Sequence, residues 1–379
     1  MNIESTFKSR FIVEALGLAA MILLAPSGRA ADQCYPDANP SDGKPDSAAI
    51  QACLNRKGTV VLFPGHPGYL IERGLKMGSN TILTSSSRKA TLAAHSTLGN
   101  QPILFASGSD YTISEIIFDG KKYERDVFGL CWDMAKRPAN LEAHGKNFVI
   151  HHIDTVDAMC GSGFGVFGSD FEIYSVYSAY NGRQLGEWPN ANFQWADGMT
   201  VVYCNNGHIH DNSFVDNTDF DLLFGGGPNC SVHHNTITHV SNFAFGGLNI
   251  GHMHTGAGWD GNHIGSNFFS NVVSSRPNLL MYGLSVGSHP FTSNNPQAVQ
   301  VFNAGTFTGN VSRGAQINLL VDGVNSGVIR GNGFSEAQGN RSEFNNCGIS
   351  NNYISGHTGF EPQTGYVRMT MDKSSCEPY

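Results

Sequence analysis

The chain has 379 residues, of which 45 are glycine, 14% are charged and 11% are aromatic, which is typical of a well-filled core with many tight turns and few long helices. Its formal net charge of −8 argues against general binding to nucleic acid or to an anionic membrane, because both attract a basic surface. The composition therefore favours an all-β protein, and we expect no nucleic-acid partner.

The N-terminus has the pattern of a secretory signal peptide. Lys8 and Arg10 precede an apolar run over residues 15–26, and small residues follow that run as a cleavage site. A membrane anchor would need about 18 or more uncharged apolar residues. We therefore predict that residues 1–30 are removed, that residues 31–379 form a single domain, and that the mature protein is secreted or periplasmic without membrane attachment.

One short helix is predicted near the start of the mature chain. Asp46 is placed to cap its N-terminus, since a carboxylate there can accept hydrogen bonds from the free amides of the first turn. Ile50, Cys53 and Leu54 form an apolar stripe at helical spacing, and Gly58 is expected to end the helix. Strand-like runs follow directly, so the period changes from helical to extended.

The stretch around this helix runs from Asp42-Gly43 through Ala49-Ile50-Gln51 to Gly58-Thr-Val-Val-Leu-Phe-Pro-Gly65 and Gly68-Tyr-Leu70. This succession resembles the N-terminal segment of the pectin-lyase-like superfamily, which includes polygalacturonases, pectate-lyase-type proteins, C5-epimerases and phage tailspikes. The short helix of such proteins covers apolar side chains and unpaired amides at the open end. The resemblance implies a right-handed single-stranded parallel β-helix, a solenoid with a short N-terminal capping helix. It does not specify the reaction.

The pattern apolar-x-x-Asn-x-apolar recurs along the second half of the chain. Its asparagines are Asn212, Asn235, Asn267, Asn332 and Asn352, with Asn310 in a looser copy. Three of the five successive spacings lie between 20 and 23 residues, which suits one coil of three short strands. Asparagine tolerates a left-handed turn and can bond its equivalent in the next coil, so the pattern resembles the asparagine ladder of parallel β-helices.

Two stretches break this rhythm, at about residues 121–148 and 181–195. Both carry basic residues and tryptophan, and both are long enough to be loops that leave the coil. In a solenoid such insertions gather on one face and often wall a groove. We therefore expect the substrate groove to lie beside them.

Three acidic residues, Asp197, Asp219 and Asp221, recur at spacings of 22 and 24 and are our catalytic candidates. With about 22 residues in a coil their carboxylates would stack on one face, and on a single strand Asp219 and Asp221 would point to the same side. Hydrolysis of a glycosidic bond needs one carboxylic acid and one carboxylate. The alternative is ordinary turn chemistry, since Asp-Gly and Asn-Thr-Asp are also turn signals.

These aspartates partly resemble the motif of polygalacturonase-type glycosidases. Ala196-Asp197-Gly198, Asp219-Phe-Asp221 and Phe245-Gly-Gly-Leu-Asn-Ile-Gly251 stand for three consecutive coils of that motif. Gly246 occupies the place of its histidine, Phe220 separates its paired aspartates, and its R-I-K segment is absent. The resemblance thus implies a carboxylate-lined groove that lacks the Arg-Lys pair for binding uronates.

Candidate substrate-binding residues surround this stretch. Aromatic rings there can stack on sugar rings, although packing in the core or a loop is their alternative role. The two histidines after Gly251 would share a face in an extended chain and are candidates for hydrogen bonds to substrate. The full set is Arg183, Trp195, Asn249, His252, His254, Trp259 and Tyr282.

All eight cysteines follow the predicted signal peptide, which indicates disulfides in an exported chain. Sequence leaves the connectivity open, but a solenoid brings residues one or two coils apart into contact. The pairs expected from nearest neighbours are Cys34–Cys53, Cys131–Cys160, Cys204–Cys230 and Cys347–Cys376. No C-x-x-C pair occurs, which argues against a zinc or redox site. We predict no metal and no cofactor.

Three functions stay open at this point. We predict a glycoside hydrolase that acts on a polysaccharide or oligosaccharide, as a monomer or small homo-oligomer. The second possibility is a lyase or C5-epimerase acting on a uronate-containing glycan, for which Tyr180, Arg183, His252 and His254 are available. The third is a non-catalytic, glycan-binding or adhesive β-helix.

Overall fold

A computed structural model describes residues 32–125, 131, 138–185, 192–251, 267–276, 279–286, 302–321, 324–330, 332–336, 341–345, 351–355 and 366–370. Within these ranges the chain is a right-handed parallel β-helix with one short α-helix near its N-terminal end, as predicted. None of the described helices is long and apolar enough to cross a membrane.

The capping helix α1 spans Ser47–Arg56 and buries Ile50, Cys53 and Leu54, so the predicted apolar stripe is confirmed. Asp46 is the N-cap residue as predicted, but the predicted capping bond is wrong, since its side chain makes no hydrogen bond to the helix. Its Oδ2 instead accepts a bond of 3.0 Å from the backbone N–H of Leu70. Asp46 therefore ties the start of the helix to a neighbouring strand.

Short strands make up the rest of the described chain, with one 3-10 turn at Ser96–Leu98. The strands of the first part are β1 Gln33–Cys34, β2 Gly58–Leu62, β3 Tyr69–Ile71, β4 Leu75–Met77, β5 Thr81–Ser85, β6 Ala90–Ala94, β7 Leu104–Ala106, β8 Ser109–Ser114, β9 Ile116–Asp119, β10 Ala139–His151, β11 Asp154–Val156, β12 Gly161–Tyr174, β13 Tyr177–Ala179, β14 Arg183–Leu185 and β15 Asn192–Gln194. Those of the second part are β16 Ala196–His210, β17 Ser213–Val215, β18 Phe220–Phe224, β19 Ser231–His239, β20 Ala244–Ile250, β21 Phe268–Ser275, β22 Leu280–Val286, β23 Phe302–Thr308, β24 Val311–Arg313, β25 Ile317–Val321, β26 Val324–Arg330, β27 Gly333–Ser335, β28 Arg341–Asn345, β29 Asn351–Ser355 and β30 Tyr366–Thr370.

Parallel pairing between successive coils builds three faces. The first face contains β1, β2, β5 and β8 and continues through β19, β21, β23, β26 and β29. The second contains β3, β6, β9, β11, β13 and β17 and later β24 and β27. The third contains β4 and β7 and continues through β18, β20, β22, β25, β28 and β30.

The long strands β10, β12 and β16 bend from the third face into the first and pair along both. Because β10 already begins at Ala139, the loop predicted over residues 121–148 is shorter than expected. The stretch 181–195 contains the antiparallel pair β14–β15, which lies outside the parallel sheet. Both stretches adjoin the third face, the first at the start of β10 and the second at the start of β16.

An asparagine ladder runs inside the solenoid. The side-chain amide of Asn212 donates to Asn235 at 2.8 Å, Asn235 to Asn271 at 2.8 Å, and Asn271 to Asn310 at 3.5 Å. Asn310 then donates to Asn332 at 2.9 Å. Each buried side-chain amide thus finds a hydrogen-bond partner in the asparagine one coil away.

The ladder prediction was wrong at Asn267. Its Oδ1 accepts from the backbone N–H of Cys230 at 2.7 Å, and its amide donates to the carbonyl of Gly227. The ladder member of this coil is Asn271, which fits the same pattern four residues later. The pairing of strand β21 with β19 determines that Asn271, and not Asn267, joins the ladder. The side chain of Asn352 lies outside the described residues.

Three of the predicted disulfides are confirmed. They join Cys34 to Cys53, Cys131 to Cys160 and Cys204 to Cys230. Cys347 and Cys376 lie outside the described residues. Each confirmed bond links chain segments 19 to 29 residues apart, about the length of one coil.

Candidate active site on the third face

Asp197 is the second residue of β16 on the third face, where it pairs with Ser162 of β12. Its side chain is only 6% exposed. Oδ1 accepts a hydrogen bond of 3.0 Å from the backbone N–H of Phe220, and Oδ2 accepts one of 2.5 Å from the Thr200 hydroxyl. The carboxyl group is therefore held in a fixed orientation by two neighbouring chain segments.

The hydrogen bonds continue from Thr200 to the surface. Its hydroxyl lies 2.5 Å from the Ser162 hydroxyl, and either atom can be the donor. Ser162 and Thr200 both line a shallow cleft of about 250 Å³, together with Glu142, His144 and Phe167 among others. A chain of two hydroxyl groups thus connects the buried carboxyl of Asp197 to open space.

Burial raises the pKa of Asp197 well above its ordinary value, and the nearby charge of Asp219 raises that pKa further. The hydrogen bonds from Thr200 and Phe220 favour the ionised form but do not offset these two effects. A carboxylic acid with a raised pKa is what a general acid requires. In its protonated form Asp197 carries the proton on Oδ2, because Oδ1 accepts from a backbone amide, and the bond to Thr200 then reverses so that Oδ2 donates.

Asp219 lies one coil from Asp197, as the spacing predicted. Its backbone N–H donates to the carbonyl of Ala196 at 3.1 Å, and its own carbonyl accepts from Phe245 and Gly246 in the following coil. It precedes β18, which begins at Phe220, and is half-buried. Asp197 and Asp219 are therefore neighbouring carboxyl groups with different degrees of exposure.

Asp221 has different hydrogen-bond partners from that pair, although only one residue lies between it and Asp219 and its charge also raises the pKa of Asp197. Its side chain is completely buried, where Oδ1 accepts from the Asn217 amide at 2.8 Å and Oδ2 shares a bond of 2.5 Å with Nε2 of His239. Asp219 and Asp221 were expected to share a face if one strand held both, and that condition is not met, because β18 begins between them at Phe220. The structure brings Asp197 and Asp219 together and places Asp221 in a different network.

That network contains His239 and Asp216, both fully buried. Nδ1 of His239 donates to the carbonyl of Asn242 and lies 3.6 Å from Asp216 Oδ1. Burial alone would lower the pKa of His239, but the carboxyl of Asp221 outweighs it and the pKa is raised. Burial raises the pKa of Asp221 despite its bond to His239. Both directions favour a proton retained between the two groups.

The substrate-binding candidates fall at several places. Trp195 and Tyr282 flank Phe245, with ring centroids 6.2 and 5.5 Å from its own. The guanidinium of Arg183 lies 5.1 Å from the ring of Tyr123. Asn249 is completely buried, and its amide donates to Ser285 at 3.0 Å, so a direct contact with substrate is not available to it. His252, His254 and Trp259 lie outside the described residues.

The sequence did not identify several residues that lie near Asp197. Ser162 and Thr200 are 38 residues apart, and Glu142 lies in a stretch expected to be a loop. The strand register between coils would have identified them, since Glu142 of β10 pairs with Gly165 of β12, and Gly165 pairs with Thr200 of β16. In the part of the chain that the structure describes, no three His, Cys, Asp or Glu side chains could hold a metal ion.

Solved structures with the same architecture match most of the chain. The A-module of mannuronan C-5 epimerase AlgE6 from Azotobacter vinelandii matches with a TM-score of 0.55 and 13% identity, covering 87% of this chain and 96% of that one. The Dettilon tailspike protein gp208 gives a TM-score of 0.52 and 13% identity, covering 87% of this chain and 69% of that one. The tailspike protein of E. coli bacteriophage HK620, in complex with pentasaccharide, gives 0.50 and 11%, covering 86% and 63%.

These likenesses show that the protein has the pectin-lyase-like fold, a right-handed parallel β-helix. No protein-family profile and no curated relative matches the sequence. At identities of 11% to 13% the comparison extends to the fold alone, and the chemistry has to be argued from the side chains.

Proposed function

We propose that the protein is a secreted glycoside hydrolase that cleaves a polysaccharide, with Asp197 as general acid and Asp219 as the second carboxylate. The observation that carries this proposal is the carboxyl of Asp197, whose pKa is raised by burial and by the charge of Asp219 one coil away. Two carboxyl groups with divergent environments are the arrangement that glycoside hydrolysis uses. The solved structures of the same fold include a polysaccharide epimerase and an oligosaccharide-bound tailspike.

The proton of Asp197 needs a path, because the carboxyl group is 6% exposed. When Asp197 is protonated, its Oδ2 donates to Thr200, Thr200 donates to Ser162, and the Ser162 hydroxyl donates into the cleft. Ser162 passes its proton to the leaving oxygen as the C–O bond breaks, and protons shift outward along the chain from Asp197. Asp219 takes the proton of the attacking water or bonds to the sugar carbon itself.

Asp221 is left out of this pair. Its carboxyl group is enclosed by Asn217 and His239, so we assign it to the support of the third face. Export is supported by the predicted signal peptide over residues 1–30 and by three disulfides, which persist in oxidising compartments.

The test is turnover on a glycan panel with three readouts. New reducing ends without ultraviolet absorbance indicate a hydrolase, absorbing unsaturated products indicate a lyase, and inverted uronate C5 signals in NMR spectra without cleavage indicate an epimerase. We expect the first result for the wild type. Asp197→Asn and Asp219→Asn should each lower kcat by about a hundredfold to ten-thousandfold, the usual contribution of a positioned acid or base.

The matched control is Asp37→Asn, at an exposed carboxylate of the N-terminal segment. It should leave kcat unchanged. Full turnover in both active-site variants would overturn the proposal, and so would a wild type that binds glycans and turns none over. Either of the other two product patterns would replace hydrolysis with that reaction.

A further inference from the structure

A second depression lies at the N-terminal end of the third face, between helix α1 and strand β4. This helix groove has a volume of about 580 Å³, against about 250 Å³ for the cleft beside Asp197. Ala48 and Ala52, both exposed on α1, line it together with Gly74. The groove is thus open where three small residues leave space that larger side chains would fill.

The helix groove and the cleft lie on one register column of the third face. Lys76 of β4 lines the groove and pairs with Phe105 of β7, which pairs with Glu142 of β10. Glu142 lines the cleft and pairs with Gly165, which pairs with Thr200. Adjacent strands are about 4.8 Å apart, so Glu142 is about 10 Å and Thr200 about 19 Å from Lys76 along the column. An extended ligand that follows this column meets both depressions.

Gln51 of α1 fixes the wall between the helix and the sheet. Its side-chain N–H donates to the backbone carbonyl of Lys76 at 2.9 Å, and its side-chain oxygen accepts from the backbone N–H of Lys76 at 2.7 Å. Gln51 thereby takes the place of a neighbouring strand, and an added peptide strand would need the same two backbone groups. The groove is therefore preformed, and its ligand has to be recognised by side chains.

Asn55, Gln101 and Lys76 supply hydrogen-bond donors to the groove. The side-chain oxygen of Asn55 accepts from Gln51 at 2.8 Å, and that of Gln101 accepts from the backbone N–H of Gly74 at 2.9 Å. Their NH2 groups and the exposed ammonium of Lys76 have no hydrogen-bond partner in the part of the chain that the structure describes, and none of the described residues lining the groove is acidic. Such donors bind the hydroxyl and ring oxygens of a sugar, and equally a carboxylate or sulfate that a sugar carries.

We propose that the helix groove is a distal subsite for the glycan whose bond is cleaved at the cleft, with Lys76 as its main donor. The substrate then runs along the third face from the cleft to α1, and the enzyme favours chains long enough to reach both. This inference rests on the proposed action on polysaccharides, but it predicts a dependence of affinity on chain length that is measurable without turnover.

The first experiment compares KM for size-graded oligomers of xylan, cellulose, galacturonate and alginate, from the disaccharide upward. In the series that is cleaved, KM should fall with length until the oligomer spans both depressions. Lys76→Met should raise KM for the long oligomers about tenfold, the value of one hydrogen bond to a charged group, and leave kcat unchanged because Lys76 is remote from the reacting bond. The shortest cleaved oligomer should keep its KM. Lys44→Met, at an exposed lysine outside the groove, should change nothing at any length.

The second experiment is calorimetric titration of the same oligomers into the Asp197→Asn protein, which binds substrate without turning it over. Adding Lys76→Met should weaken binding of the long oligomers about tenfold. Ala52→Leu should do the same, since leucine is a good helix former at an exposed position and its side chain fills the groove. Its thermal unfolding midpoint should equal that of the parent protein.

Unchanged affinity for long oligomers in both groove variants would overturn the inference, as would a KM that rises equally at every chain length or the absence of binding by any oligomer. Cleavage with a KM independent of chain length and of Lys76 would overturn it and leave the hydrolase intact. Lys76-dependent binding of long oligomers by a wild type that cleaves none would retain the subsite and overturn the hydrolase.

Discussion

Asp197 and Asp221 lie one coil apart, and both carboxyl groups are buried, with burial as the first cause of a raised pKa in each. Their partners differ. Asp197 bonds a hydroxyl that leads through Ser162 to the cleft, whereas Asp221 bonds His239 in an enclosed network. A perturbed pKa thus marks two different uses of a carboxyl group, and the path from the group to solvent distinguishes them.

The largest expected effect is on stability at the enclosed network. Asp221→Ala leaves the buried His239 without its partner and should lower the free energy of unfolding by about 3–5 kcal/mol, as measured by denaturant titration. The matched control is Asp211→Asn, which removes the charge of a carboxylate 2.7 Å from Nδ1 of His210 at an exposed corner and keeps a residue type that tolerates the positive φ of 54° at this position. That control should cost about 1 kcal/mol or less. Equal losses in the two variants would contradict the assignment of Asp221 to a supporting role.

A smaller effect is expected at the hydroxyl chain of Asp197. Thr200→Val keeps the shape of the side chain and removes the hydroxyl, so it should lower kcat by about tenfold to a hundredfold, because the carboxylate charge that develops on Asp197 as it gives up its proton loses a hydrogen bond. KM should change little, and Thr200→Ser should restore most of the activity. Equally slow Val and Ser variants would point to packing of the methyl group and against proton transfer through Thr200.

The smallest effect is the pH dependence of stability at Asp197. Its folded pKa lies above the ordinary value of 3.8, so its contribution to stability is complete below about pH 4 and is lost as the pH rises through the folded pKa. Asp197→Asn should therefore gain stability relative to the wild type as the pH rises from the ordinary value of 3.8 through the raised pKa of the folded state. The difference between the unfolding free energies of the two proteins, measured at each pH, checks this. A gain at acidic pH would contradict the raised pKa.

The neighbouring positions of Asp197 and Asp219 were predictable because their 22-residue spacing equals about one coil, and coil length is set by local turn signals. The position of Asp221 was not, because it depends on strand β18 beginning at Phe220. Thr200 and Ser162 were missed since the antiparallel pair β14–β15 lies between them in sequence and hides their register.

By itself the sequence determined the capping helix and the solenoid period, and the solenoid period favoured the nearest-neighbour disulfides that the structure confirms, Cys34–Cys53, Cys131–Cys160 and Cys204–Cys230. These features depend on contacts within a coil or between adjacent coils, which residue spacing expresses directly. Tertiary structure alone decided which carboxyl group is connected through hydroxyl groups to the cleft and which is enclosed. It also chose Asn271 over Asn267 for the ladder. The physical reason is that the face of a side chain depends on strand register between coils, where a shift of one residue exchanges inside and outside.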